Sequence, residues 1–218
     1  GAHIADYMVV LARTSPADGN NRQVGLSQFL VPLATAGVGI SGIRDLAGTT
    51  HFNETRFDDV DLPHEALLGR EGNGWTQVMG ELSFERSGPE RFLSTFIVLR
   101  EAMPLLERHL DASGTAILGR LLAHLTALRR MSRGIAALLQ DGRDPSREAA
   151  MVKLLGNEYE RQLLGDVRRL LCGIPQEAWP DGLVALLAEA QLRLPSFTLR
   201  GGTTEVMRGI LARQLGVR

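Results

Sequence analysis

The run Glu81-Leu82-Ser83-Phe84-Glu85-Arg86-Ser87-Gly88-Pro89-Glu90-Arg91 sets three carboxylates and two guanidinium groups within eleven residues. A glutamate held in an apolar pocket can serve as a general base. Local chemistry singles out Glu85. Pro89 has no N–H, so the helical hydrogen bond to the Glu85 carbonyl cannot form. Gly88 weakens the same turn, and a kink is expected there. Glu81, four residues earlier, falls on the same helix face. The competing reading is a solvated, ion-paired helix surface made of Glu81, Glu85, Arg86, Glu90 and Arg91.

The second group of interest ends the chain. Arg200-Gly201-Gly202-Thr203-Thr204-Glu205 reads as a glycine turn opening a short helix. Backbone N–H groups at a helix start are unpaired and carry partial positive charge, which suits a pyrophosphate. An ordinary N-cap by Thr203 is the plainer reading, and the two roles are compatible.

The elements that must position these groups fall into two kinds. Residues 1 to about 62 are β-like, with strands expected at Tyr7–Arg13, Leu26–Pro32, Val38–Ile43 and His51–Val60, and a turn at Asp18-Gly19-Asn20-Asn21. Four or five strands do not close a barrel neatly. From Gly74 the pattern is helical. One helix is expected from Gly74 to about His109 and a second from about Gly114 to Leu139, with Leu118, Leu121, Leu122, Leu125 and Leu128 on one stripe. A third runs from Pro145 to about Leu171, started by Asp144 as N-cap and Pro145 at N1. Leu183–Leu192 and Thr203–Leu215 follow. The fold class is therefore α+β, a partial antiparallel β barrel followed by an antiparallel α-helical bundle. The domains expected are 1–70 for the β part and 71–218 for the bundle.

Composition narrows the function classes. A net charge of −1 over 218 residues gives no electrostatic reason to expect nucleic acid or an anionic membrane as partner. A single cysteine, Cys172, excludes an intrachain disulfide and a thiolate zinc cluster. The five histidines lack metal-ligand spacing, and no metal is expected. No apolar run approaches the roughly 20 residues that span a bilayer, and no signal peptide opens the chain. A cytoplasmic location is the expectation. The chain opens without Met and almost directly on a strand-like run, which suggests a piece of a longer protein.

Two strings carry a family resemblance. Asp58-Asp59-Val60-Asp61-Leu62-Pro63-His64-Glu65-Ala66-Leu67-Leu68-Gly69-Arg70-Glu71-Gly72-Asn73-Gly74-Trp75 resembles the hinge of acyl-CoA dehydrogenases, between the middle β domain and the C-terminal helical domain. The Gly-Gly-Thr end resembles their C-terminal signature. The order of β segment, hinge, long helices and Gly-Gly-Thr end is similar over essentially all 218 residues.

The resemblance implies FAD as cofactor, an acyl-CoA substrate and a trans-2-enoyl-CoA product. A glutamate takes the α-proton while the β-hydrogen leaves as hydride to flavin. Electron-transferring flavoprotein is the implied acceptor, and a homo- or hetero-oligomer the implied assembly. Many members place the catalytic Glu at the position of Gly201, which cannot act as a base. In isovaleryl-CoA and long-chain members the base instead matches Glu85. A Glu at one position and a Gly at the other is complementary, since both reach the same substrate carbon. Glu85 is thus the implied base and Arg86 its catalytic support, while Gly201, Gly202, Thr203 and Glu205 match cofactor-binding positions. Two family features are missing. Leu110-Asp111-Ala112-Ser113-Gly114-Thr115 stands where an Arg-x-Thr-Phe-Gly string holds FAD adenine, and Cys172-Gly173-Ile174-Pro175 replaces a Gly-Gly-x-Gly segment. These departures resemble branches with two unlike subunits sharing a reduced number of flavins. A non-catalytic partner subunit and a flavin oxidase or monooxygenase on the same fold are the alternatives.

Overall fold

A computed structural model describes residues 1–217, which fall into two compact units, Gly1–Glu81 and Leu82–Arg218. In the first unit, β1 (Tyr7–Arg13) pairs antiparallel with β2 (Leu26–Pro32), and β2 with the short β5 (Leu67–Leu68). A separate ribbon joins β3 (Val38–Ile43) to β4 (Phe52–Phe57). The first three strands match the expected bounds. The fourth is shorter than the expected His51–Val60, and β5 lies inside the hinge-like string, where no strand was expected. The Asp18–Asn21 turn is present, with the Asn21 N–H donating to the Asp18 carbonyl at 2.9 Å. Among the described residues the two antiparallel sheets form no closed barrel.

The helix expected from Gly74 to His109 is two helices. α1 (Gly74–Ser87) stops at Ser87, a 3-10 turn covers Pro89–Arg91, and α2 (Phe96–His109) restarts the chain. Gly88 is extended, with φ −64° and ψ 154°. The missing N–H of Pro89 thus ends the helix outright, where a kink had been expected.

α3 (Ala112–Gln140) is capped by Asp111, whose Oδ1 accepts from the Gly114 N–H at 2.7 Å. α4 (Ser146–Leu171) follows a turn in which Asp144 Oδ1 accepts from the Ser146 N–H at 3.0 Å, so the cap begins one residue later than expected. α5 (Leu183–Phe197) extends past the expected end at Leu192, and α6 (Thr204–Gln214) closes the chain. α4 packs against α2, α3, α5 and α6. Phe92, Leu99, Leu106, Leu121, Leu163, Leu164, Val167, Leu171 and Leu183 are all removed from solvent in this core. Burial of that apolar surface is what holds the helices together.

Two glycines of α4 report how closely it is packed. A Cβ at Gly156 would lie 2.5 Å from the Arg91 carbonyl oxygen, whereas one at exposed Gly165 meets nothing within 4 Å. Gly156→Ala is therefore expected to destabilise by about 1–3 kcal/mol, overpacking outweighing helix propensity. Gly165→Ala is expected to stabilise by about 0.5–1 kcal/mol. Urea unfolding of both variants checks the opposite signs.

Candidate active site

The interruption of α1 creates the site. The Glu85 carbonyl, deprived of a helical partner by Pro89, accepts from Arg91 Nε at 2.9 Å. The same guanidinium pairs with Glu85 Oε1, so one buried arginine satisfies both the backbone and the side chain of Glu85. The other carboxylate oxygen, Oε2, is buried without a hydrogen-bond partner. It points at Gly201: a Cβ built there would lie 3.0 Å from Oε2 and 3.2 Å from Oε1. A side chain at 201 would therefore crowd the carboxylate. Gly201 also has φ +68°, a conformation that favours glycine.

Arg86 is buried beside this corner, and its Nε donates to the Gly201 carbonyl at 3.1 Å. Burial lowers its pKa and the charge of Glu85 opposes that shift. Gly202 has φ +102°, and a Cβ there would strike Met207 Cε at 2.6 Å. Four of the expected residues, Glu85, Arg86, Gly201 and Gly202, thus meet in space. The remaining two begin α6. Thr203 Oγ1 accepts from the Val206 N–H at 3.3 Å. Glu205 is exposed, its carboxyl held below the usual range first by its own backbone N–H and then by the Thr203 hydroxyl. Glu81, expected on the face of Glu85, accepts instead from Gln28 Nε2 at 3.3 and 3.4 Å.

A layer of buried polar groups lies beneath, and sequence reasoning passed over it. Lys153, fully buried, donates to Asn157 Oδ1 at 2.6 Å and to the Phe197 carbonyl at 2.9 Å. Its Cε would lie 3.2 Å from a Cβ at Gly201. Glu160, also fully buried, accepts from the Ser94 N–H at 2.9 Å and from Arg200 at 3.0 Å. Arg200 stacks over the Phe197 ring at 4.4 Å. Burial raises the Glu160 pKa, against the lowering effect of Arg200. The legible signal was the spacing Lys153, Asn157, Glu160, a polar stripe at helical period among buried Val152, Gly156, Leu163 and Leu164.

The turn of two side-chain-free residues, followed by a helix start, fits a pyrophosphate, and the free carboxylate oxygen fits a proton acceptor. The two departures from the family pattern also come together. His109–Gly114 and Arg169–Ile174 line one hollow of about 340 Å³ with a largely polar wall. Among the described residues no group of three or more His, Cys, Asp and Glu is placed to hold a metal ion, and no helix is long and apolar enough to cross a membrane.

Comparison with known proteins agrees with this geometry. The family model for the acyl-CoA dehydrogenase C-terminal domain matches residues 115–216. Acyl-CoA dehydrogenase IpdE1 of Mycobacterium tuberculosis is 33% identical over 218 residues, covering 98% of this chain and 56% of the relative. The crystal structure of the prolyl acyl carrier protein oxidase AnaB superposes with a TM-score of 0.82 at 18% identity, covering 99% of this chain and 58% of that one. The FAD complex of PigA gives 0.78 at 25% identity, covering 100% and 58%. The chain belongs to the acyl-CoA dehydrogenase family and has its fold. It spans about half the length of the curated relatives it resembles.

Two stability predictions follow from the buried charges. Arg91→Met orphans the Glu85 carbonyl and carboxylate and is expected to cost about 2 kcal/mol or more in urea unfolding. Burial lowers the Lys153 pKa from 10.5 to about 8, with Arg91 and Arg200 adding to the shift. Between those two values the unfolded chain binds more protons than the folded one. Lys153 therefore makes folding stability rise as pH climbs from about 8 towards 10.5. Lys153→Met should flatten that rise in unfolding curves recorded across this window.

Proposed function

We propose that the chain is the C-terminal part of an FAD-dependent acyl-CoA dehydrogenase, an oxidoreductase of lipid metabolism that converts an acyl-CoA thioester to the trans-2-enoyl-CoA. The observation that carries this reading is the Glu85 carboxylate, with one oxygen gripped by Arg91 and the other buried, unpartnered and facing a residue without a side chain. An acceptor in that state takes an α-proton without first giving up a hydrogen bond. Gly201 leaves the space into which the substrate carbon comes. Arg86 fixes the backbone of that glycine through its carbonyl and keeps the turn close to the base.

FAD, when bound, accepts the β-hydrogen as hydride at flavin N5. The Gly201-Gly202 turn would let backbone approach the cofactor closely, and the first turn of α6, with Thr203 and Glu205, would hold its phosphates. Electron-transferring flavoprotein is the proposed acceptor, in a cytoplasmic setting. A second reading is favoured by the hollow between His109–Gly114 and Arg169–Ile174: the segments that hold FAD adenine in the family are recast here. That suits a heteromeric assembly in which this chain is one of two unlike subunits.

The test uses the intact protein carrying FAD, mixed without oxygen with straight, branched and bulky acyl-CoAs. Loss of the oxidised-flavin absorption with one class is the expected result and identifies the substrate class. Glu85→Gln should retain FAD and lose reduction by at least about 1,000-fold, as removal of a general base does. Near-normal reduction in that variant would sink the assignment. Rapid oxygen consumption after reduction would mark an oxidase instead. Activity only after mixing with a second chain would mark the partner-subunit reading.

A further inference from the structure

The buried charges around Glu85 divide unequally between its two oxygens. Oε1 is held by Arg91. Oε2 has no hydrogen-bond partner and faces Gly201. Lys153 approaches the same point from α4: its Cε and both carboxylate oxygens all lie within 3.2 Å of where a Gly201 Cβ would stand. A lysine ammonium has three donors. Asn157 and the Phe197 carbonyl take two of them, which fixes the ammonium beside the glycine turn.

We propose that Lys153 is a positioning residue for the base: its positive charge draws Oε2 towards Gly201 and keeps Glu85 from closing both oxygens onto Arg91. An arginine fork pairs with a carboxylate most strongly when it takes both oxygens. With Lys153 charged, a second cation competes for Oε2 and holds that oxygen in the reactive direction. With Lys153 neutral, Arg91 no longer competes with the lysine for the second oxygen, the pairing becomes bidentate, and the proton-accepting oxygen is withdrawn. The inference rests on the reading of Glu85 as the base.

The charged groups acting on Lys153 come from the end of α1, the Pro89–Arg91 turn, α4 and the segment before α6. Arg91 and Arg200 disfavour its charge, while Glu160 and Glu85 favour it, and burial outweighs them all. Arg86 lies against the same glycine turn. The charged residues of α6, Glu205, Arg208 and Arg213, are exposed and are not among the groups that shift it. The balance brings the lysine to about 8, close enough to neutrality for a modest rise in pH to discharge it.

The experiment is anaerobic stopped-flow flavin reduction from pH 6 to 10, using the intact FAD-loaded protein and an acyl-CoA that reduces it. The wild type is expected to slow as pH rises through about 8 and to level off about tenfold lower. Lys153→Met should be about tenfold slower at pH 7 and lack that alkaline limb. Lys153→Arg, which keeps the charge at every pH, should stay fast through pH 10. A purely structural lysine would alter stability or FAD content without moving the limb.

A wild-type profile flat from pH 7 to 10 overturns the proposal and needs no variant, so poor folding of Lys153→Met does not shelter it. An unchanged limb in a folded Lys153→Met overturns it equally. Glu85→Gln, run alongside, separates the two claims. Retained reduction there defeats the base reading itself, whereas lost reduction with a flat wild-type profile defeats only the role of Lys153.

Discussion

One missing hydrogen-bond donor shapes the candidate active site of this molecule. Pro89 cannot donate to the Glu85 carbonyl, so α1 ends and the chain turns back through a 3-10 segment. The carbonyl left behind is claimed by Arg91, which that same turn brings round. The arginine meets the backbone need and takes one carboxylate oxygen with the rest of its fork. Glu85 is thereby fixed at a break in the helix, with half its carboxylate engaged and half available.

The arrangement depends on α4. Gly156 allows the Arg91 carbonyl to approach the helix, and Glu160, four residues on, meets the Ser94 N–H and Arg200. Lys153 ties the same helix to the end of α5 through the Phe197 carbonyl. Each charge is matched by an opposite charge or a hydrogen bond, as burial requires. Charges at this depth cost more in desolvation than they return in stability. Their retention here is consistent with a role in holding Glu85 and the Gly201-Gly202 turn in register.

Much of this was legible in the sequence, for identifiable reasons. Three strands were readable to the residue because β-branched and aliphatic runs were bounded by turn chemistry. The pairing of Glu85 with Gly201 was legible from family resemblance, and the two positions do meet. Propensity alone points to a kink at Ser87, because it does not say whether a helix continues through a proline; here Gly88 adopts extended backbone and α1 ends. β5 escaped notice because two residues carry no periodicity. The buried polar stripe was overlooked because Lys153, Asn157 and Glu160 sit in a helix whose charged residues are mostly at the surface. Only packing against α2, α5 and α6 shows which of them are inside.

The central claim is that Glu85 removes a proton from the carbon next to the thioester. The most direct measurement is deuterium uptake at that carbon, using an acyl-CoA analogue that cannot be oxidised, bound to the intact protein in heavy water and followed by NMR. The account predicts uptake with the wild type and none above background with Glu85→Gln. Uptake at equal rates in both would contradict it and send the search for the base to another residue.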